Sequence, residues 1–133
     1  MVSFVLDASI AVAWLLDDEN EPLAEATLER LGIETALVPV VWHAEVRNAL
    51  LGAERRRRLR PEEVNARLRQ IDRLPLSTDS SPSFEAAFML ARTHRVSVYD
   101  ALYLELALRA NAPLATLDNA LAAAARAEEH PLL

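Results

Sequence analysis

Four acidic residues are set next to apolar residues rather than in charged stretches, which places them near the boundary of a folded core. They are Asp7, Glu45, Asp100 and Asp118. Carboxylates that converge within a few ångströms repel one another, and at least one of them protonates unless a cation lies among them. The first hypothesis from the sequence is therefore a cation site built from these four acids.

The donor chemistry indicates which cation such a site would hold. The chain has no cysteine, so the ligands would be carboxylate oxygens, which favour the hard ions Mg²⁺ or Mn²⁺. An ion of this kind polarises a phosphoryl oxygen, lowers the pKa of a bound water and stabilises the leaving oxygen. The predicted chemistry is hydrolysis of a phosphodiester by metal-activated water, with no side-chain nucleophile and with the number of ions left open.

Each acid also has a structural explanation. Asp7 and Asp118 precede predicted helices, where an N-cap is worth about 1 kcal/mol. Asp100 completes a capping box with Ser97, and Glu45 in a first helical turn would favour the helix dipole. Taken singly, each residue is explained at least as well by helix capping as by catalysis. Capping does not explain why all four acids should converge.

The composition limits the class of protein. The length of 133 residues fits a single domain spanning residues 1–133. All 14 basic residues are arginine, which excludes a P-loop ATPase because that motif requires a lysine. The same absence argues against a receiver domain or a haloacid-dehalogenase-like phosphatase. The phosphatase would also need a second aspartate where Ser9 stands.

The sequence gives no sign of a membrane segment. No apolar run reaches the ~18 residues of a transmembrane helix, and the first residues lack the basic region of a signal peptide. We therefore expect a cytoplasmic protein with no membrane association.

Short apolar runs alternate with amphipathic helical patterns along the chain. Strands are predicted at residues 2–6, 35–39 and 113–117, with an edge strand at 74–76 and a stub at 131–133. Helices are predicted at residues 9–16, 21–31, about 42–53, 84–91 and 97–110. Two more are predicted, one that begins at residue 61 and one that ends at residue 126. Asp17, Asp18 and Glu19 are expected in a solvated loop. This alternation indicates an α/β fold with a central, mainly parallel sheet. Ligands bind at the carboxyl ends of such strands, and Asp7 and Asp118 are predicted to lie there.

Four stretches that contain these acids resemble the acidic motifs of PIN-domain ribonucleases. The stretches are Val5-Leu6-Asp7-Ala8-Ser9, Glu45-Val46-Arg47-Asn48-Ala49-Leu50, Tyr99-Asp100-Ala101-Leu102-Tyr103 and Leu114-Ala115-Thr116-Leu117-Asp118. Their order and the separations of 38, 55 and 18 residues between the acids are also similar. The resemblance covers nearly the whole chain. One departure is Asn119, where many relatives have a basic residue.

The resemblance implies a three-layer α/β/α domain with about four or five short strands and an acidic pocket for Mg²⁺ or Mn²⁺. It implies that Asp7 and Asp100 are the main direct ligands and that Glu45 and Asp118 complete the site. Ser9 and Thr116 would support it through hydrogen bonds.

Among PIN domains, the chain most resembles VapC toxins, the toxin components of toxin–antitoxin systems. The resemblance implies an endoribonuclease that cuts tRNA or rRNA and leaves 5′-phosphate and 3′-hydroxyl ends. It also implies a cognate VapB-like antitoxin and a homodimer. Two alternatives stay open, namely a housekeeping PIN nuclease in RNA processing and a catalytically inactive PIN-fold binding module.

A basic cluster stands outside the four motifs. It comprises Arg55, Arg56, Arg57 and Arg58, with Arg60 two residues later. The chain carries a net charge of -6, so contact with RNA phosphates would need a local patch of this kind. A solvated helix end or a contact with the antitoxin are the alternative interpretations. Four aromatic residues are expected in the core or in dimer packing, namely Trp14, Trp42, Phe84 and Phe88.

Overall fold

The computed structural model describes residues 2–16 and 21–133. Asp17, Asp18 and Glu19, expected in a solvated loop, lie outside these residues. The described chain forms a four-stranded sheet in the order β3-β2-β1-β4, and every neighbouring pair is parallel. The strands are β1 Val2–Leu6, β2 Thr35–Pro39, β3 Leu76–Asp79 and β4 Leu114–Ala115. The predicted α/β fold with a parallel sheet is confirmed.

Two strands differ in extent from the prediction. β3 is the expected edge strand, but it begins at Leu76, because Pro75 has no N–H to offer a neighbouring strand. β4 contains only two residues, and Leu114 also forms an isolated parallel bridge with Leu132. The stub expected at residues 131–133 is thus reduced to that bridge.

Seven helices occur in the described part of the chain. They are α1 Ala8–Leu15, α2 Pro22–Arg30, α3 Val40–Arg55, α4 Pro61–Asp72, α5 Phe84–His94, α6 Val98–Ala110 and α7 Asn119–Ala127. Side-chain caps open three of them, since Ser83, Ser97 and Asp118 each accept a backbone N–H in the first turn. In this part of the chain, no helix combines the length and apolar character needed to cross a membrane.

The strand order fixes where a ligand can enter. The chain moves outward from β1 to β2 and β3, and then returns past β1 to β4. Because parallel crossovers are right-handed, this reversal puts the helices α1–α4 on one face and α5 and α6 on the other. The reversal falls between β1 and β4, and binding crevices in open α/β sheets form at such a switch point.

The helix α6 is the most deeply buried helix of the described chain. All seven residues from 101 to 107 are buried, and α6 packs against β1, β2, β4 and α5. Trp42 is fully buried and Trp14 partly buried, but Phe84 and Phe88 on α5 are 64% and 50% exposed. Of the two places expected for Phe84 and Phe88, the core of the described chain is excluded because they lie on the exposed side of α5, and dimer packing stays a prediction.

An ionic network ties α6 to the edge of the sheet. The guanidinium of Arg109 donates two hydrogen bonds to Asp79, at the end of β3, at 3.1 and 2.8 Å. It donates two more to the buried carboxylate of Glu105 at 2.7 and 3.0 Å. Glu105 also accepts the N–H of Ser83, the N-cap of α5, at 3.3 Å. One arginine thereby joins β3, α6 and the start of α5.

Candidate active site

Asp7 directly follows β1 and is only 5% exposed. Its Oδ2 accepts hydrogen bonds from the Ser9 hydroxyl at 2.6 Å and from the Thr116 hydroxyl at 2.7 Å. It occupies the N-cap position of α1, yet its side chain makes no capping hydrogen bond. Helix capping therefore does not explain the burial of this carboxylate.

Ser9 and Thr116 also hold the loop that follows β4. The Ser9 Oγ accepts the N–H of Leu117, and the Thr116 Oγ1 accepts the N–H of Asp118, both at 3.0 Å. Each hydroxyl thus donates to Asp7 and accepts from the chain beyond β4. This arrangement locks the carboxyl ends of β1 and β4 together at the switch point.

Asp118 follows this loop and caps α7. Its Oδ1 accepts the N–H of Leu121 at 3.0 Å, so the capping explanation holds for one of its two oxygens. The charge of Asp118 also raises the pKa values of Asp7 and Asp100. Asp118 is therefore a cap that also belongs electrostatically to the group of acids.

Glu45 lies in the second turn of α3, which begins at Val40. The expectation that it lies in the first turn is wrong, because the helix starts directly after Pro39. Its Oε1 accepts the hydroxyl of Tyr103 at 2.5 Å. Tyr103 is fully buried on α6, three residues after Asp100, and therefore on the same side of that helix.

Tyr103 is a candidate site residue that the sequence did not predict. The signal was its place in Tyr99-Asp100-Ala101-Leu102-Tyr103 at helical spacing from an acid. On an apolar helix, a tyrosine at this position is explained equally well by core packing. Only its contact with Glu45 distinguishes a role in the site from a role in packing.

The electrostatics show that the acids influence one another. Burial is the largest cause that raises the pKa values of Asp7, Glu45 and Asp100. Neighbouring carboxylates raise them further: Asp7 and Asp100 act on Glu45, and Asp7 acts on Asp100. The fold thus brings four acids from β1, α3, α6 and the β4–α7 loop to one region.

The donor set fits a hard divalent cation in its chemistry. All four side chains offer carboxylate oxygens, and a cation would offset the repulsion that raises their pKa values. In residues 2–16 and 21–133, however, no three histidine, aspartate or glutamate side chains are already arranged to hold an ion. A magnesium ion keeps several waters and needs only one or two carboxylates, so direct ligation by a pair of these acids fits the donor set.

The arginine cluster is separate from these acids. Arg55, Arg56, Arg57 and Arg58 are exposed at the end of α3, and Arg60 is exposed just before α4. Arg55 follows Glu45 by ten residues on one helix, which corresponds to about 15 Å along the axis.

Comparison with known proteins identifies the class to which this fold and site belong. Residues 4–127 match the family model of the PIN domain. The chain therefore belongs to the PIN-domain family, as the four motifs predicted. No curated protein matches the sequence significantly.

Several solved structures have a similar fold. PAE2754 from Pyrobaculum aerophilum superposes with a TM-score of 0.71 at 20% identity, over 93% of this chain and 87% of that chain. VapBC2 from Rickettsia felis, bound to a promoter DNA fragment, superposes with a TM-score of 0.63 at 16% identity, over 100% of this chain and 97% of that chain. A toxin–antitoxin complex from Klebsiella pneumoniae superposes with a TM-score of 0.62 at 16% identity, over 87% of this chain and 87% of that chain. At these identities the likeness concerns the fold.

Proposed function

We propose that this PIN domain is a cytoplasmic, Mg²⁺- or Mn²⁺-dependent endoribonuclease of the VapC type. The observation that carries the proposal is the mutual electrostatic influence of Asp7, Glu45, Asp100 and Asp118 at the switch point of the sheet. Helix capping accounts for Asp118 but not for the burial of Asp7. A cation held by oxygen ligands accounts for the grouping of all four.

The residues have distinct roles in this proposal. Asp7 and Asp100 would hold the ion directly, and Glu45 and Asp118 would complete its surroundings. When bound, such an ion would lower the pKa of a water and offset charge on the phosphoryl group. Ser9 and Thr116 fix the orientation of Asp7. Tyr103 holds Glu45 through its hydroxyl, so it acts as a positioning residue.

The substrate in this proposal is a structured cellular RNA, such as tRNA or rRNA, cut to leave 5′-phosphate and 3′-hydroxyl ends. The arginine cluster at the end of α3 is proposed to contact RNA phosphates outside the acidic region. A net charge of -6 supports such a local role, because the overall field of the chain repels a polyanion.

Two protein partners are proposed. Structures of similar fold include a toxin–antitoxin complex and VapBC2, which supports a VapB-like antitoxin for this chain. A homodimer is proposed from the exposed apolar face of α5, formed by Phe84, Phe88 and Met89. Light scattering of wild-type and Phe88→Glu protein tests the homodimer, since a charge on this face is expected to yield monomers.

The decisive experiment is cleavage of total cellular RNA by purified protein in Mg²⁺, Mn²⁺ or EDTA. Wild-type protein is expected to cut only with a divalent ion, and Asp7→Asn and Asp100→Asn proteins of confirmed fold are expected not to cut. Folded wild-type protein that neither cleaves RNA nor binds Mn²⁺ in calorimetry would instead be an inactive binding module.

A further inference from the structure

A cavity lies beside the acidic region, between the start of α2 and the outer side of α7. Its volume is about 350 Å³, near the small end of the ~300–1,000 Å³ typical of ligand sites. Leu23, Leu114 and Leu132 form part of its apolar lining. A space of this size and character suits one planar ring system rather than a duplex.

The cavity is continuous with the proposed catalytic residues. Thr116 and Asp118 belong to its wall, and Thr116 is the residue whose hydroxyl donates to Asp7. A chain molecule with its reacting group among the acids would therefore place its next unit in this cavity.

The polar wall of the cavity comes from one face of α7. Asn119 and Arg126 both line it and are seven residues apart, which places them two helical turns apart on the same side. Both side chains are exposed. Neither makes a hydrogen bond or ion pair with any residue that the structure describes. An amide and a guanidinium are thus presented to the cavity with their hydrogen-bonding capacity unused.

We infer that this cavity receives one unstacked nucleotide of single-stranded RNA, next to the phosphate that is cut. The inference rests on the proposed ribonuclease function and extends it to the choice of sequence. The base would lie against the leucines, as splayed-out bases lie on apolar surfaces. Asn119 would pair with the edge of the base, and Arg126 would bind the edge or the adjoining phosphate.

This arrangement gives α7 a role in specificity. Glu21 also lines the cavity, and a carboxylate there accepts hydrogen bonds from amino groups but repels phosphate. The cavity therefore favours a base over a bare phosphate, and among the described residues that line it Arg126 alone carries a positive charge.

The test maps cleavage positions in a pool of single-stranded RNA oligonucleotides of random sequence, with Mn²⁺. Wild-type protein is expected to show a base preference at one position beside the cut. Asn119→Ala and Arg126→Ala should lower kcat/KM on the preferred sequence about 10-fold and flatten that preference. An abasic nucleotide at that position should make wild-type and Asn119→Ala proteins equal.

Arg69→Ala is the matched control, because Arg69 is an exposed arginine on α4 and its removal changes the net charge equally. Arg126→Lys keeps the charge but loses the planar donor pair, so it should preserve affinity better than selectivity. An unchanged preference in both α7 variants, or an equal loss in Arg69→Ala, overturns the inference.

A binding measurement in EDTA separates this inference from the proposed function. Fluorescence anisotropy with a short single-stranded RNA should show weaker binding to Arg126→Ala than to Arg69→Ala. If wild-type protein cleaves nothing, the proposed function fails while this difference still supports the cavity as a nucleotide site. Equal binding by the two variants rejects the site whether or not the protein cleaves RNA.

Discussion

At the scale of single residues, hydrogen bonds hold the carboxylate of Asp7 in place although burial and the charge of Asp118 disfavour its charged form. Two hydroxyl donors fix one oxygen of a carboxylate that is almost fully buried. The hydrogen bonds lower its pKa, yet burial outweighs them and the pKa is raised. The fold therefore keeps a buried acid that opposes stability in the absence of a cation, as expected of a functional residue.

Replacing Asp100 by asparagine should stabilise the metal-free protein. Burial, and then the charges of Asp118 and Asp7, raise the pKa of Asp100, so removing its charge relieves both the desolvation and the repulsion. We expect ~0.5–2 kcal/mol of added stability and a rise in Tm of about 2–4 °C per kcal/mol. Thermal unfolding in EDTA measures the effect, and cleavage activity should be lost in the same protein.

The matched control is Asp72→Asn, the same chemical change at an exposed position on α4. Asp72 is not among the charges that raise the pKa values of the site acids. A surface change of this kind alters stability by less than ~0.5 kcal/mol. An equal rise in Tm for both variants would mean that no special repulsion exists at Asp100.

Tyr103→Phe isolates the role of one hydroxyl. The variant keeps the buried ring but removes the hydrogen bond to Glu45. Loss of an outer-shell contact of this kind lowers metal affinity or activity about 10–100-fold. Because the hydroxyl lowers the pKa of Glu45, the acidic limb of the pH–rate profile should move to higher pH.

Tyr99→Phe, at an exposed position one turn earlier on α6, is the control for Tyr103→Phe. Its pH–rate profile should match the wild type. A Tyr103→Phe protein with wild-type activity and profile would show that the hydrogen bond serves only packing.

At the scale of elements, the sequence predicted the helices and strands well where local signals agreed. The strand–acid–helix order at Asp7 and Asp118 follows from apolar runs and cap residues, and it placed both acids at the carboxyl edge of the sheet. The edge strand was predicted over residues 74–76, whereas β3 spans Leu76–Asp79, because Pro75 has no N–H to offer a neighbouring strand. The sequence left open whether Phe84 and Phe88 on α5 lie in the core or at a dimer contact, because periodicity alone does not tell an outer helix from an inner one.

The long-range contacts of the site could not be read from the chain. Tyr103 and Glu45 are 58 residues apart, and Arg109 and Asp79 are 30 apart. No local pattern encodes such a pairing, because it depends on how α6 crosses the sheet. The family resemblance named Ser9 and Thr116, whose hydroxyls donate to Asp7, but nothing in the sequence pointed to Tyr103 as the partner of Glu45.

Arg109→Leu should test how α6 is anchored. The substitution leaves the buried carboxylate of Glu105 without its ionic partner. Breaking a buried pair costs ~3–5 kcal/mol, and we expect the low end because Arg109 is 39% exposed. Urea unfolding measures the loss. Adding Glu105→Leu should recover much of it, whereas purely additive losses would show that the pair is not coupled.

At the scale of the whole molecule, the acids should give the metal-free protein an unusual dependence on pH. Asp7, Glu45 and Asp100 have raised pKa values, so the folded chain binds more protons than the unfolded chain just above pH 4. Stability therefore falls as the pH rises through the raised pKa values. The pKa of Asp79 is lowered, first by its hydrogen bonds with Arg109. Its contribution to stability is therefore lost as the pH falls below the ordinary aspartate pKa of 3.8.

The expected result in EDTA is a Tm that is higher near pH 5 than near pH 8. Asp100→Asn should reduce this difference, because one of the raised carboxyls is gone. Added Mn²⁺ should raise Tm mainly at the higher pH, where the carboxylates are charged. A Tm in EDTA that rises steadily from pH 5 to pH 8 would contradict the proposed repulsion among these acids.

The distribution of charge sets the last expectation. A triple variant should weaken the binding of long RNA and leave the cleavage of a short oligonucleotide unchanged; it carries Arg55→Gln, Arg56→Gln and Arg57→Gln. The reason is that α3 separates the cluster from Glu45 by about 15 Å. Each phosphate contact contributes about 0.7 to the slope of log affinity against log salt for single strands. The triple variant should therefore lose up to about 2 from that slope.

A second triple variant, Arg69→Gln with Arg73→Gln and Arg92→Gln, removes the same charge from exposed positions on other elements. If both triple variants lose affinity equally, the cluster acts only through net charge. If the cluster variant binds RNA normally but fails to bind the antitoxin, the arginines form a protein interface. A reduced salt slope confined to the cluster variant, with unchanged turnover of the short substrate, assigns these residues to the RNA backbone.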